Sequence, residues 1–264
     1  MILPVMKRCI RNCIRSLGYD IIPYSFSKSI LLREHLGDLL KRLGIDCVLD
    51  VGANVGQYGR LLRRAGYRGR VISFEPNPDA LAILTAASAS DPRWTVHGCA
   101  LGDLDGQIPF HITRLNSLSS LLTPDGPAAP EFGDDSKVAR TELVPVRRLD
   151  TFFAEHAQEL REARLYLKMD TQGYDLNVLR GVAGNIHRIL GLQSELSLKP
   201  IYSGMPDYLQ VLFEAARLGF EVTGFFPVVR DRAGSLIEVD CVMQRAAALA
   251  RFSHHDRGEA PCES

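Results

Sequence analysis

The sequence predicts a doubly wound, Rossmann-like α/β fold preceded by helices, and three observations carry that prediction. From residue 46 onward, short apolar runs suited to buried parallel strands alternate with helical stretches. The first such run leads through a glycine-rich turn straight into a helix. The chain then closes on two β-rich runs joined by Asp231, Arg232, Ala233 and Gly234, which reads as an antiparallel hairpin at the edge of an otherwise parallel sheet.

Residues 1–45 form an N-terminal helical extension. Val5, Met6, Cys9, Ile10, Cys13, Ile14 and Leu17 recur at three- and four-residue spacing, with Lys7, Arg8, Arg11 and Arg15 between them, so residues 5–17 read as a basic amphipathic helix ended by Gly18. A second helix is expected from about Ser29 to Leu43, stopped by Gly44. Strands are expected at Cys47 to Val51, Val71 to Phe74, Trp94 to Leu101, Leu165 to Met169 and Ile189 to Leu196. Helices are expected at about Gln57 to Ala65, Asp79 to Ser88, Asp175 to Val182 and Pro206 to Leu218. The rhythm breaks at about residues 106–149. There Gly106 to Thr113 and Thr141 to Leu149 read as strands around a segment rich in Ser, Pro, Gly and Asp, an insert of the kind that usually carries function. The main domain spans residues 46–245, and residues 246–264 read as a flexible tail.

Composition narrows the function classes. At 264 residues, 46% hydrophobic and 23% charged, collagen-like, disordered and coiled-coil readings are out. Basic and acidic residues balance at 31 each, so the broad positive field of a nucleic-acid binder is missing. The balance hides a split: residues 1–45 carry eight basic and three acidic residues, leaving 23 and 28 to the remainder. The basic helix can pack on the domain or on a partner subunit of a homo-oligomer, or lie on an anionic membrane surface as a peripheral contact. Packing is the preferred expectation, because stable anchoring needs a second signal. The six cysteines are scattered without metal-site spacing and read as reduced thiols of a cytoplasmic protein; no apolar run approaches a membrane span.

The chemistry starts at the turn after the first strand. Asp50, Gly52, Ala53, Asn54 and Gly56 place an acid and a GxNxG turn where backbone N–H groups meet a ligand beside a helix N-terminus. A dinucleotide fingerprint needs a glycine where Asn54 stands, and no phosphate-cradling P-loop is present, so the turn suits a cofactor with a charged amino-acid end and no phosphates. Glu75 closes the second strand, with Pro76 ending it, at the spacing where an acid accepts both hydroxyls of a ribose.

The runs Asp50 to Gln57, Phe74 to Asn77 and Lys168 to Asp175 resemble, in order, the signature blocks of the FkbM-type family of S-adenosylmethionine-dependent methyltransferases. The resemblance implies a seven-stranded methyltransferase sheet with an antiparallel last strand. It implies S-adenosyl-L-methionine as cofactor, its methionine end wrapped by Gly52, Ala53, Asn54 and Gly56. Asp50 would orient the amino group or the loop, Glu75 would hold the ribose, and Ala100 and Leu101 would lie by the adenine. Asn116 to Leu121, Ser119 among them, also resembles a family segment, and its clustered hydroxyls and amide could contact the cofactor carboxylate or a polyhydroxyl substrate, although ordinary turn chemistry explains the same composition.

Lys168, Asp170 and Glu195 stand at the carboxyl ends of neighbouring strands, where doubly wound folds place reactive groups. Methyl transfer to an alcohol needs a base, and Glu195 or Asp170 can serve if desolvation raises its pKa, with Lys168 keeping one of them ionised; a structural Lys–carboxylate pair is the alternative. Many family members carry a second carboxylate where this chain has Gln172, which argues against a bound metal at this turn. His97 and His111 are expected to be structural. The function that the resemblance implies is O-methylation of a hydroxyl on a sugar, glycan or secondary metabolite. The alternatives are an N-methyltransferase of a small molecule and an inactive nucleoside-binding module.

Overall fold

The computed structural model describes residues 27–246; the basic helix expected over residues 5–17 and the tail beyond 246 lie outside them. Helix α1 (Ser27–Arg42) leads into β1 (Cys47–Val51), α2 (Gln57–Arg64), β2 (Arg70–Phe74), α3 (Pro78–Ser88) and β3 (Trp94–His97). The insert follows with β4 (Ala100–Leu101), β5 (Gly106–Thr113) and β6 (Val138–Arg147), then α4 (Leu149–Glu155) and α5 (Ala157–Leu160). The second half is β7 (Leu165–Met169), α6 (Asp175–Gly181), β8 (Ile189–Ser197), α7 (Tyr208–Arg217), β9 (Phe220–Arg230) and β10 (Leu236–Arg245).

The main sheet has seven strands in the order β3-β2-β1-β7-β8-β10-β9. β1, β2, β3, β7 and β8 pair in parallel, while β10 runs antiparallel to both β8 and β9. The chain winds outward from β1 to β3, then restarts at β7 on the other side of β1. That reversal opens a crevice at the carboxyl ends of β1 and β7.

β1 and β7 are buried along their whole length, as strands covered on both faces must be. Alternation divides their side chains: Cys47, Leu49 and Val51 pack with Leu165, Leu167, Phe152 and Val178 on one face. Val48 and Tyr166 pack on the other with Leu36 and Leu39 of α1, Leu43 just after it and Leu62 of α2. By the same period of two, Asp50 and Lys168 fall on the α1 side, at the crevice end of that apolar row. Each fully buried leucine of α1 contributes roughly 1.5–3 kcal/mol, which fixes the helix on the sheet.

Two expectations are corrected. The run Trp94 to Leu101 is not one strand: β3 ends at His97 in the main sheet, and β4 joins a separate three-stranded sheet of order β4-β6-β5. The chain turns at Gly98, where a Cβ would lie 2.8 Å from Leu81 Cδ2 and would have to displace the tip of that leucine. The strand expected at Thr141 to Leu149 runs instead from Val138 to Arg147, and Leu149 opens α4, burying Phe152 and Phe153. No helix among the described residues is long and apolar enough to cross a membrane.

Candidate functional site

A cavity of about 450 Å³ occupies the crevice at the carboxyl ends of the parallel strands, within the range of small-molecule sites. Gly52, Asn54, Glu75 and Pro76 line one end, Ala100, Leu101 and Ser119 an adjoining wall, and Lys168, Asp170 and Glu195 the floor. Asp50, Ala53 and Gly56 do not line it. Asp50 and Ala53 are buried behind the wall, and Gly56 packs on Leu84 and Trp94 at φ 83°, where a Cβ would meet Leu84 at 2.9 Å.

The turn is held by its neighbours. Gly52 has φ 70°, and a Cβ there would sit 1.9 Å from the carbonyl oxygen of Asp170, so only glycine lets the β1 and β7 turns approach this closely. Asn54 takes a left-handed φ of 47°, a conformation rare outside glycine and concentrated at functional sites. Its backbone N–H donates to Glu75 Oε2 at 2.6 Å, and the Asn77 N–H donates to Oε1 at 2.8 Å. Both carboxylate oxygens of Glu75 are thus fixed and keep lone pairs free. Burial pushes the Glu75 carboxyl up to about 7, against the two N–H donors and Lys168, which pull it down.

The arrangement fits the cofactor implied by the sequence. Glu75 is an acceptor suited to ribose hydroxyls, and Ala100 and Leu101 offer an apolar wall to an adenine. Asn54 Oδ1 is buried without a hydrogen-bond partner beside the cavity. Such an orphaned acceptor is costly unless a ligand donor satisfies it, and an amino-acid ammonium is such a donor.

Beneath the cavity a polar row crosses the sheet through Ser73, Asp50, Lys168 and Gln193, each paired in register with the next. Trp94 Nε1 donates to Ser73 Oγ at 2.9 Å, and Ser73 Oγ donates to Asp50 Oδ2 at 3.0 Å. The Lys168 ammonium lies 3.1 Å from Asp50 Oδ1 and 3.4 Å from Asp170 Oδ2. It donates to the carbonyls of Gly52 at 3.1 Å and Val51 at 3.4 Å. Burial alone would lower the lysine pKa; Asp170 and Asp50 more than offset it and hold the ammonium protonated above its ordinary range.

The floor is a group of acids. Gln172, at φ 54°, donates from Nε2 to Asp170 Oδ1 at 3.0 Å and to Glu195 Oε2 at 2.6 Å. Burial, then the charges of Asp170, Glu238 and Asp240, push Glu195 well above the usual carboxylate range. Burial raises Glu238 to about 8 and Asp240 to about 6.

Glu238 and Asp240 were missed by sequence reasoning, which treated the closing hairpin as an edge only. The signal was present: two acids two residues apart inside an apolar strand must share one face. In register, Asp240 lies opposite Glu195, and Gln193 Nε2 donates to Asp240 Oδ1 at 2.9 Å. His97 stands away from the cavity, its ring stacked on Phe74 at 5.4 Å and edge-on to Phe152 at 5.0 Å. His111 faces Thr141 Oγ1 at 3.1 Å. Among the described residues no three His, Cys, Asp or Glu side chains are arranged to hold a metal ion.

Residues 50–222 match the model of the methyltransferase FkbM domain. No curated protein matches the chain. Solved structures that resemble it include an rRNA methylase from Streptococcus thermophilus, with 12% identity, 80% of this chain and 94% of that chain covered and a TM-score of 0.42. Fibrillarin from Aeropyrum pernix, in complex with natively bound S-adenosyl-L-methionine, has 11% identity, covers 83% and 76% and scores 0.44. A precorrin-6y C5,15-methyltransferase from Geobacter metallireducens has 11% identity, covers 80% and 87% and scores 0.39.

Proposed function

The chain belongs to the FkbM methyltransferase family, S-adenosylmethionine-dependent enzymes, and from that premise we propose that it methylates a hydroxyl of a sugar, glycan or secondary metabolite with Glu195 as the base. When bound, the cofactor supplies an electrophilic methyl group on a sulfonium. The chain's own residues supply the rest. Glu75 and Asn54 hold the nucleoside and amino-acid ends. Lys168 is occupied by Asp50, Asp170 and two backbone carbonyls, so it keeps the floor fixed rather than donating a proton.

The observation that carries the reading is the setting of Glu195. It lines the cavity beside Asp170, its Oε2 held by Gln172, and its environment makes it a stronger base than an ordinary carboxylate. An alcohol placed against the free lone pairs of Glu195 would pass its proton to the carboxylate as its oxygen bonds to the methyl carbon, the carbon–sulfur bond breaking with its electron pair left on sulfur as the thioether. Asp170 is the weaker candidate, because both of its carboxylate oxygens are already engaged, Oδ2 by Lys168 and Oδ1 by Gln172.

A second reading, N-methylation of an amine, draws support from Glu238 and Asp240, which add two further carboxylates to the same cavity. The experiment is transfer of an isotopically labelled methyl from the cofactor into fractionated cell extract, with the methylated atom identified in the product. O-methylation lost by 10²–10⁴-fold in Glu195→Gln, with S-adenosylhomocysteine affinity kept in calorimetry, is the expected outcome. Unchanged transfer in that variant would remove Glu195 as base, an N-methyl product would favour the second reading, and cofactor binding with no transfer to any fraction would point to a binding module.

A further inference from the structure

The acid floor is held by a residue that does not titrate. Gln172 is buried in a left-handed turn with Gly173 behind it at φ 92°, and its side chain has four hydrogen-bonding positions, three of them engaged. One N–H goes to Asp170 and the other to Glu195, while Oε1 accepts from the Tyr202 hydroxyl at 2.6 Å. Turned over, the amide would aim its carbonyl at two carboxylates, so its orientation is fixed by its partners. Tyr202 is fully buried, and its oxygen also lies 3.0 Å from the carbonyl of Leu118 in the insert. The insert grips the same turn a second time, where Ser120 Oγ donates to the Gln172 carbonyl at 2.8 Å.

We infer that Gln172 is the positioning residue of this site: its amide clamps Glu195 and Asp170 into one arrangement as proton acceptors and ties the pair through Tyr202 to the insert. The inference rests on the reading of Glu195 as the base. Four carboxylates meet here, Asp170 after β7, Glu195 on β8 and Glu238 and Asp240 on β10, against one cation, Lys168 on β7, already shared with Asp50. The other titratable groups facing the pair are Asp175 from α6, whose carboxyl burial raises, and Tyr202, held neutral by burial. Crowded like charges favour a shared proton, and a base holding a proton accepts none. Two N–H donors oppose that outcome by aiming at Asp170 Oδ1 and Glu195 Oε2, which must accept them. A glutamate at position 172 would add a further charge to the crowd.

The test reads the proton directly and needs neither acceptor nor turnover. The full-length protein, labelled with ¹³C at glutamate side-chain carboxyls, is titrated by NMR, and the Glu195 signal is identified by its loss in Glu195→Gln. Gln172→Asn suits the same backbone but is too short to reach both acids; Gln172→Gly serves if the first variant does not fold. Removal of the amide should raise the Glu195 midpoint by about one to two pH units, and Gln172→Glu should raise it further. A Glu195 midpoint unmoved in folded Gln172 variants overturns the clamp. Methyl transfer that survives Glu195→Gln overturns the base assignment instead, leaving the titration result to stand separately.

Discussion

Removing the buried ammonium of Lys168 should destabilise the whole domain, and the structure says by how much and why. Asp50 has no exposed surface, and its charge is met by Lys168 at 3.1 Å and by one hydroxyl donor, Ser73. In Lys168→Met the methylene stem is kept, but a carboxylate is left buried without its counter-charge, and the carbonyls of Gly52 and Val51 lose a donor. Breaking a buried pair by removing one partner costs about 3–5 kcal/mol. The lysine pKa is raised in the folded state, so its contribution is fully present below the ordinary lysine value and is lost as pH rises from there through the folded one. The full loss is therefore expected at neutral pH. Urea unfolding followed by circular dichroism gives the value, and the cycle with Asp50→Asn isolates the pair: the double variant should be more stable than Lys168→Met alone. A Lys168→Met loss below about 1 kcal/mol, or additive single losses, would refute the account of Asp50 as a charge dependent on Lys168.

Two further outcomes follow from the same geometry. Gly52→Ala should leave the protein misfolded or without S-adenosylhomocysteine binding in calorimetry, since its Cβ would overlap the Asp170 carbonyl; normal affinity would show that the two turns can part. Asp240 has its carboxyl raised to about 6 by burial, so the folded state holds its proton longer than the unfolded chain, and stability should fall as pH rises from about 4 to 6. Asp240→Asn should remove a decline on the order of 3 kcal/mol across that window, and an identical pH profile in both proteins by chemical denaturation would contradict it.

Much of the fold was legible because it follows from local rules. Apolar runs of period two, glycines ending helices and the spacing from Gly52 to Glu75 are properties of neighbours in sequence. Where reading failed, the competing influence was tertiary. Trp94 to Leu101 is a continuous β-rich run, but its last two residues leave the main sheet and pair with the insert. Glu238 and Asp240 enter the site because β10 is inserted between β8 and β9, bringing Asp240 opposite Glu195.

The sequence by itself determined the doubly wound fold, the turn that shapes the cofactor end and the presence of Glu75, Lys168, Asp170 and Glu195 at strand ends, because these depend on periodicity and spacing along one chain. Only the tertiary structure decided what those groups do to one another. Asp50 turns away from the cavity to hold Lys168, and Gln172, which reads in sequence as a missing carboxylate, becomes the donor that two acids share. Hydrogen bonds and charge pairing act across distances of about 3 Å between residues far apart in the chain, and that proximity is created by folding.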